Sequence, residues 1–223
     1  MTAPPDLSTT SPYVLDLVRT HDRGRFVASL FAPAPARDKV LALLAFDQEL
    51  ARIPAAVSEQ MLGQIRFQWW RDLVERVADG GAAPQGHPVA QALAAALPGL
   101  VRADLSALID ARALALTAPQ PEAAVEPAAE ALSALVLQAL DVADAATRAA
   151  AREAAVAYGL AVQPPAEGRA AHVLAHVAAA RSAGSVDRRA ISVLLWATLA
   201  EKLLVSNRVP TVTLTWRAWR GTY

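Results

Sequence analysis

Between Arg37 and Val77 the sequence RDKVLALLAFDQELARIPAAVSEQMLGQIRFQWWRDLVERV carries two successive patterns of helical period with a short break between them. At 100° per residue, Val40, Leu43, Leu44, Phe46, Leu50 and Ile53 share one arc of the first, and Gln48, Glu49 and Arg52 fall opposite. Asp47 lands inside the apolar arc. On the second, Leu62, Trp69, Trp70, Leu73, Val74 and Val77 share a broad face, with Arg66 near its middle. An unpaired buried charge costs several kcal/mol, on the order of 3–5 when one partner of a buried pair is removed. Two opposite charges on core-facing stripes of consecutive helices are therefore expected to meet, and the sequence predicts an Asp47–Arg66 ion pair.

The rest of the composition agrees with helix. Of the 223 residues 54% are hydrophobic, Ala and Leu are abundant, and β-branched runs are confined to the tail, so an all-α fold follows. Twenty-one basic residues balance 21 acidic ones, which removes the electrostatic case for nucleic acid as a partner. The absence of cysteine excludes disulfides and thiolate metal sites and fits a reducing compartment. The first residues, MTAPPDLSTTSPY, lack the basic and apolar regions of a secretory signal, and no apolar run reaches the roughly 18–20 residues of a membrane span. These features predict a cytoplasmic protein without a transmembrane segment, able to make peripheral contact at the inner face of a membrane.

Residues 1–11 are polar and Pro-rich and read as a disordered lead, with Ser11 as N-cap and Pro12 at the first helical position. Residues 12–223 then read as a single helical domain. A helix over Tyr13–His21 ends at Asp22-Arg23-Gly24-Arg25, and a short segment from Phe26 to Phe31 leads to Pro33 and Pro35. Beyond the two central helices, Asp79-Gly80-Gly81 is a stop signal. His87-Pro88 opens a helix reaching Leu97, and another spans Asp104 to Leu116. The proline-bearing stretch from Thr117 to Pro127 reads as a linker, and helices follow near Ala128–Leu140, Asp144–Val162 and Glu167–Arg181. Asp187 caps a long apolar helix to Val205. The closing segment from Val209 has a β-branched TVTLTW core, assigned to helix or coil because everything around it is helical.

By this point the residues carry a likeness. RGRFVASLFAPAPARDKVLALLAFDQELARI, GQIRFQWWRDLVERV, HPVAQALAAAL and LIDAR resemble, in order and spacing, the N-terminal half of the squalene/phytoene synthase family. Within it the chain is most similar to the branch that contains the mitochondrial complex I assembly factor and its α-proteobacterial relatives, an end-segment likeness in TWRAWRGTY included. The resemblance is good over residues 12–116, weaker to Gly159 and poor from Leu160 to Pro210. It implies an isoprenoid-synthase-like helical bundle around a central cavity, shortened in its C-terminal half. Active members join two prenyl diphosphates head to head, using two aspartate-rich motifs on facing helices to hold Mg²⁺ against the diphosphate.

Both motifs depart here. Where the first would follow, about five to nine residues after Ala45-Phe46, this chain has Ala51, Arg52 and Ala55, with no pair of carboxylates on one helix face. Where the second would follow, with an Arg-Asp pair and a Gly-Arg-x-Tyr-Leu-Pro segment, the chain runs from YGLAVQ straight into PPAEGRAAHVLAHV.

The remaining candidates for chemistry have plainer readings. Asp47 and Glu49 are too close to share a helix face. Asp144 reads as a cap rather than a metal partner of Asp141. His172 and His176 have the i, i+4 spacing that lets two imidazoles reach one metal, but no third ligand stands at a motif spacing, so they read as a solvated or half-buried pair. His87 reads as a helix-start residue and His21 as part of a polar helix end. Phe46, Leu50, Trp69 and Trp70 are candidates for cavity lining. Trp216, Trp219 and Tyr223, with Arg217 and Arg220 between them, form a stripe suited to a partner or a membrane surface, or to packing back on the bundle.

The function expected from the resemblance is a pseudoenzyme: a non-catalytic member of the family acting in complex I assembly, with complex I subunits as partners and no cofactor. The alternatives are a head-to-head prenyltransferase of isoprenoid biosynthesis that uses Mg²⁺ with relocated acids such as Glu49, Asp72 or Asp110, and a protein that binds a quinone or isoprenoid lipid.

Overall fold

The computed structural model describes residues 10–118, 120–206 and 211–223. The expected disordered lead, residues 1–11, falls almost wholly outside them. The described residues form eleven α-helices and no strand. In order they are α1 (Pro12–His21), α2 (Arg23–Ser29), α3 (Ala34–Arg52), α4 (Gln60–Ala78), α5 (Pro88–Ala96), α6 (Arg102–Ala113), α7 (Val125–Ala139), α8 (Ala145–Ala161), α9 (Arg169–Ser182), α10 (Ile191–Leu203) and α11 (Thr211–Arg220). No helix among the described residues is long and apolar enough to cross a membrane.

Local chemistry sets most boundaries. Proline occupies the first turn of α1, α3 and α5, where its missing N–H leaves no bond unmade. Asp144 accepts from the Thr147 amide at 2.8 Å to cap α8, and Nδ1 of His87 accepts from the Ala90 amide at 3.2 Å to cap α5. Asp187 likewise accepts from the Arg189 amide and starts the turn that leads into α10. The stretch expected as a linker, Thr117 to Pro127, holds a 3-10 turn at Pro121–Ala124 and the first residues of α7, so it is part of the bundle.

Two helices are buried on every side, which only an apolar surface all round permits. On α3 every residue from Val40 to Asp47 is buried, and on α10 every residue from Ser192 to Ala200. Helix α3 packs against α1, α2, α5, α6 and α7, and α8 packs against α7, α9 and α10. Helix α2, early in the chain, lies on α10, late in the chain. One buried cluster consequently runs from Val14 to Leu214.

Helix α4 is turned relative to the sequence expectation. Its buried residues are Gly63, Phe67, Trp70, Leu73 and Val74, an arc centred about 50° around from the stripe that placed Arg66 in the core. Leu62, Ile65 and Arg66 face outward. Gly63 fits that phase: a Cβ there would lie 2.7 Å from the end of the Leu116 side chain, which would have to shift to admit it.

Candidate functional site

Because α3 is buried all round from Val40 to Asp47, Asp47 must find its partners inside, and it finds two. Arg112 on α6 grips it through a two-point contact, Nε to Oδ1 at 2.7 Å and Nη2 to Oδ2 at 2.8 Å. Arg25 on α2 adds an Nη2 contact to Oδ2 at 3.2 Å. The expected Asp47–Arg66 pair is thus corrected: Asp47 is wholly buried against Arg112 and Arg25, while Arg66 sits on the exposed side of α4.

The network continues beyond Asp47. Asp22 caps α2 by accepting from the Arg25 amide at 3.0 Å and also pairs with the Arg25 Nε. The hydroxyl of Tyr158, from α8, donates to the same carboxylate at 2.6 Å. The Arg25 guanidinium lies 5.2 Å from the centre of the Tyr158 ring and 5.3 Å from that of Trp196, within cation–π range of both. Helices α2, α3, α6, α8 and α10 therefore meet at one polar knot of two acids and two arginines. Burial by itself would lower the pKa of Arg25, but Asp22 and Asp47 outweigh it and hold the group above its ordinary value. Burial, reinforced by Asp22, pushes the Tyr158 hydroxyl well above the usual phenol range. Every group in the knot keeps a partner.

Only α2's glycine lets this geometry form. A Cβ on Gly24 would lie 2.6 Å from the Tyr158 hydroxyl. Asp22-Arg23-Gly24-Arg25, read from sequence as a break, is the first turn of a helix that delivers both a carboxylate and a guanidinium to the interior.

The candidate cavity-lining residues divide. Phe46 and Leu50 are fully buried in close packing. Trp70 packs edge-on to Phe46, ring centres 5.1 Å apart, and Trp69 stacks on His87 at 5.1 Å. The two tryptophans floor an open cleft of about 260 Å³, rimmed by Glu49, Arg52, Arg66 and His87. A second open cleft, about 490 Å³, runs between α4 and α6 along Met61, Ile65, Arg71, Asp110 and Leu114. Its outer wall is apolar and wet: Met61 is 61% exposed and Ile65 58%.

The acids offered as relocated metal ligands are dispersed. Glu49 rims the first cleft and pairs with Arg52 at 3.6 Å. Asp110 lines the second and pairs with Arg71 at 2.6 Å, and Asp72 accepts from Gln68 at 2.8 Å.

The closing helix folds back. Leu214 of α11 is fully buried, the Tyr223 hydroxyl donates to the Ala180 carbonyl at 3.1 Å, and the Tyr223 carbonyl accepts from Arg181 at 2.8 Å. Arg181 also pairs with Glu201 at 2.8 Å, and that bond holds the Glu201 carboxyl below its ordinary range. Arg217 lies half-buried, and burial together with Arg181 lowers its pKa. Of the tail stripe, Trp216 faces outward, 52% exposed, with Arg220 stacked on its ring at 4.1 Å. The side chain of Trp219 lies outside the described residues.

Asp22, Arg25, Arg112, Tyr158 and Trp196 were not singled out from the sequence. Arg112 could have been, since Leu105, Leu108, Ile109 and Arg112 recur at i, i+3, i+4 and i+7, the criterion that flagged Asp47. Helix α2, with seven residues, is too short to show a period.

Comparison with known proteins agrees with this architecture. Complex I assembly factor 6 of Homo sapiens, an NADH dehydrogenase (ubiquinone) assembly factor, is 41% identical over 68 residues, 30% of this chain and 20% of that protein. The protein of the same name from Bos taurus is 39% identical over 83 residues, 37% of this chain and 24% of that protein. The matches thus span about a fifth to a quarter of these relatives. A dehydrosqualene synthase solved in complex with ligand superposes with a TM-score of 0.70 over 94% of this chain and 95% of that one, at 12% identity, a likeness of fold. Residues 18–165 match the family model for squalene/phytoene synthase, and with most of its length covered in this way the chain belongs to the squalene/phytoene synthase family.

Proposed function

We propose that the protein is a non-catalytic member of its family that acts in the assembly of respiratory complex I through protein contacts. The observation that carries the first half is the state of the interior acids. Asp47 is wholly buried and spent on Arg112 and Arg25, and Asp22 on Arg25 and Tyr158. Holding Mg²⁺ against a diphosphate needs several carboxylate oxygens converging on one open space. Glu49, Asp110 and Asp38 each line a different cleft. The reading therefore needs no Mg²⁺.

The assembly half rests on likeness to relatives named as complex I assembly factor 6, and the surface supports it. Met61, Leu62 and Ile65 put a wet apolar strip on the outside of α4, which suits a protein partner better than water. The test is removal of the gene from its host, with complex I followed by native gel and by NADH–quinone activity. Loss of assembled complex, restored by the wild-type chain but not by a folded Ile65→Asp chain, is the expected result. Unchanged complex I in the deletion strain would overturn the proposal.

A further inference from the structure

Outside the arginine knot, three helices bring together groups that the reading above does not use. His172 and His176 sit one turn apart on α9, and their Nε2 atoms face each other at 3.1 Å. Glu126, in the first turn of α7, places Oε1 3.9 Å from the Nε2 of His172. The ligand atoms of these three residues all lie within 4.8 Å of one another, which no other trio of His, Cys, Asp or Glu among the described residues matches. Glu153 on α8 holds the far nitrogen of His176, Nδ1, at 2.6 Å, and its other oxygen is anchored by Arg152 at 2.7 Å.

We propose that Glu126, His172 and His176 form a binding site for a divalent transition metal ion, Zn²⁺ being the best match, with Glu153 as the residue that orients His176. Each part of the geometry has a reason. A carboxylate on Nδ1 keeps the proton there, so the Nε2 of His176 presents its lone pair toward His172. A tetrahedral Zn²⁺ with bonds of about 2.0–2.1 Å sets its donors about 3.3 Å apart, close to the observed separation of the two nitrogens. Glu126, 45% exposed, stands 3.9 Å from His172 and within 4.8 Å of the other imidazole nitrogen, so its side chain swings in by up to about 1.5 Å to complete that triangle. Two imidazoles and one carboxylate suit zinc better than Mg²⁺ or Ca²⁺, which favour all-oxygen shells. The site lies on the surface, with His172 half exposed, so the fourth position is open to water or to a ligand from outside. A bound ion ties α9, which packs on α8 and α10, to the start of α7.

The site was hidden in the sequence because Glu126 precedes His172 by 46 positions and belongs to another helix. The inference goes beyond the assembly reading and does not depend on it. To test it, untagged full-length protein is stripped with chelator and titrated with Co²⁺ at neutral pH while the visible absorption is followed, and Zn²⁺ is then added in competition. One equivalent of Co²⁺ giving a d–d band that Zn²⁺ abolishes is expected. His172→Gln and His176→Gln should each weaken binding at least tenfold, Glu153→Gln by about 10–100-fold, and His21→Gln not at all. Absence of a band, or equal Zn²⁺ affinity in wild type and the His172→Gln/His176→Gln double variant, overturns the site.

Discussion

A carboxylate with no access to water and two guanidiniums against it is a residue-scale arrangement with a definite energetic signature. Removing Asp47 leaves the half-buried Arg112 and the buried Arg25 without its carboxylate, so Asp47→Ala is expected to lower unfolding free energy by about 3–5 kcal/mol. Arg112→Met, which leaves Asp47 with Arg25 alone, should cost a similar amount. Arg66→Met, on the outer side of α4, should stay within about 0.5 kcal/mol of wild type. Urea titrations followed by circular dichroism measure all three, and a costly Arg66→Met beside a neutral Arg112→Met would restore the pairing expected from sequence. That pairing failed for a simple reason. A charge on an apolar stripe tells that a partner exists, but which helix supplies it is a matter of tertiary packing. Arg112 satisfies the same stripe criterion on α6.

At the scale of elements, helix starts and stops were largely legible because they are local chemistry. Pro12, Pro88, Asp144, Asp187 and the Gly80-Gly81 stop all lie where the structure has them, since each acts on amides within one turn. Rotation about the helix axis was less legible. Gly63 and Gly24 decide how closely α4 and α2 approach their neighbours, and the sequence shows a glycine without showing what it faces. For Gly24 the neighbour is Tyr158, held by its bond to Asp22, so a methyl group has no cheap way in. Gly24→Ala should therefore cost about 1–3 kcal/mol despite the gain of about 1 kcal/mol that alanine brings to a helix. Thermal unfolding checks this, and a stabilised variant would mean that α2 does not touch α8 in solution. The tail helix is the converse case. Its β-branched TVTLTW core reads as strand by propensity, and burial of Leu214 among helices overrides that preference.

Over the whole molecule, the class of fold was visible in composition and period, and the family in a few stretches of motif. The interior was not. The resemblance implied a central cavity, whereas Phe46, Leu50 and Trp196 are packed solid around the Asp22–Arg25–Asp47–Arg112 knot, and open space lies at the surface beside α4. The bundle has the fold of a dehydrosqualene synthase, and its interior acids Asp22 and Asp47 are paired with Arg25 and Arg112. The most direct test offers the purified protein farnesyl or geranylgeranyl diphosphate with and without Mg²⁺ and measures pyrophosphate release. No release above the protein-free rate, and no binding that depends on Mg²⁺, is the expected result; Mg²⁺-dependent turnover that survives repurification would contradict the account.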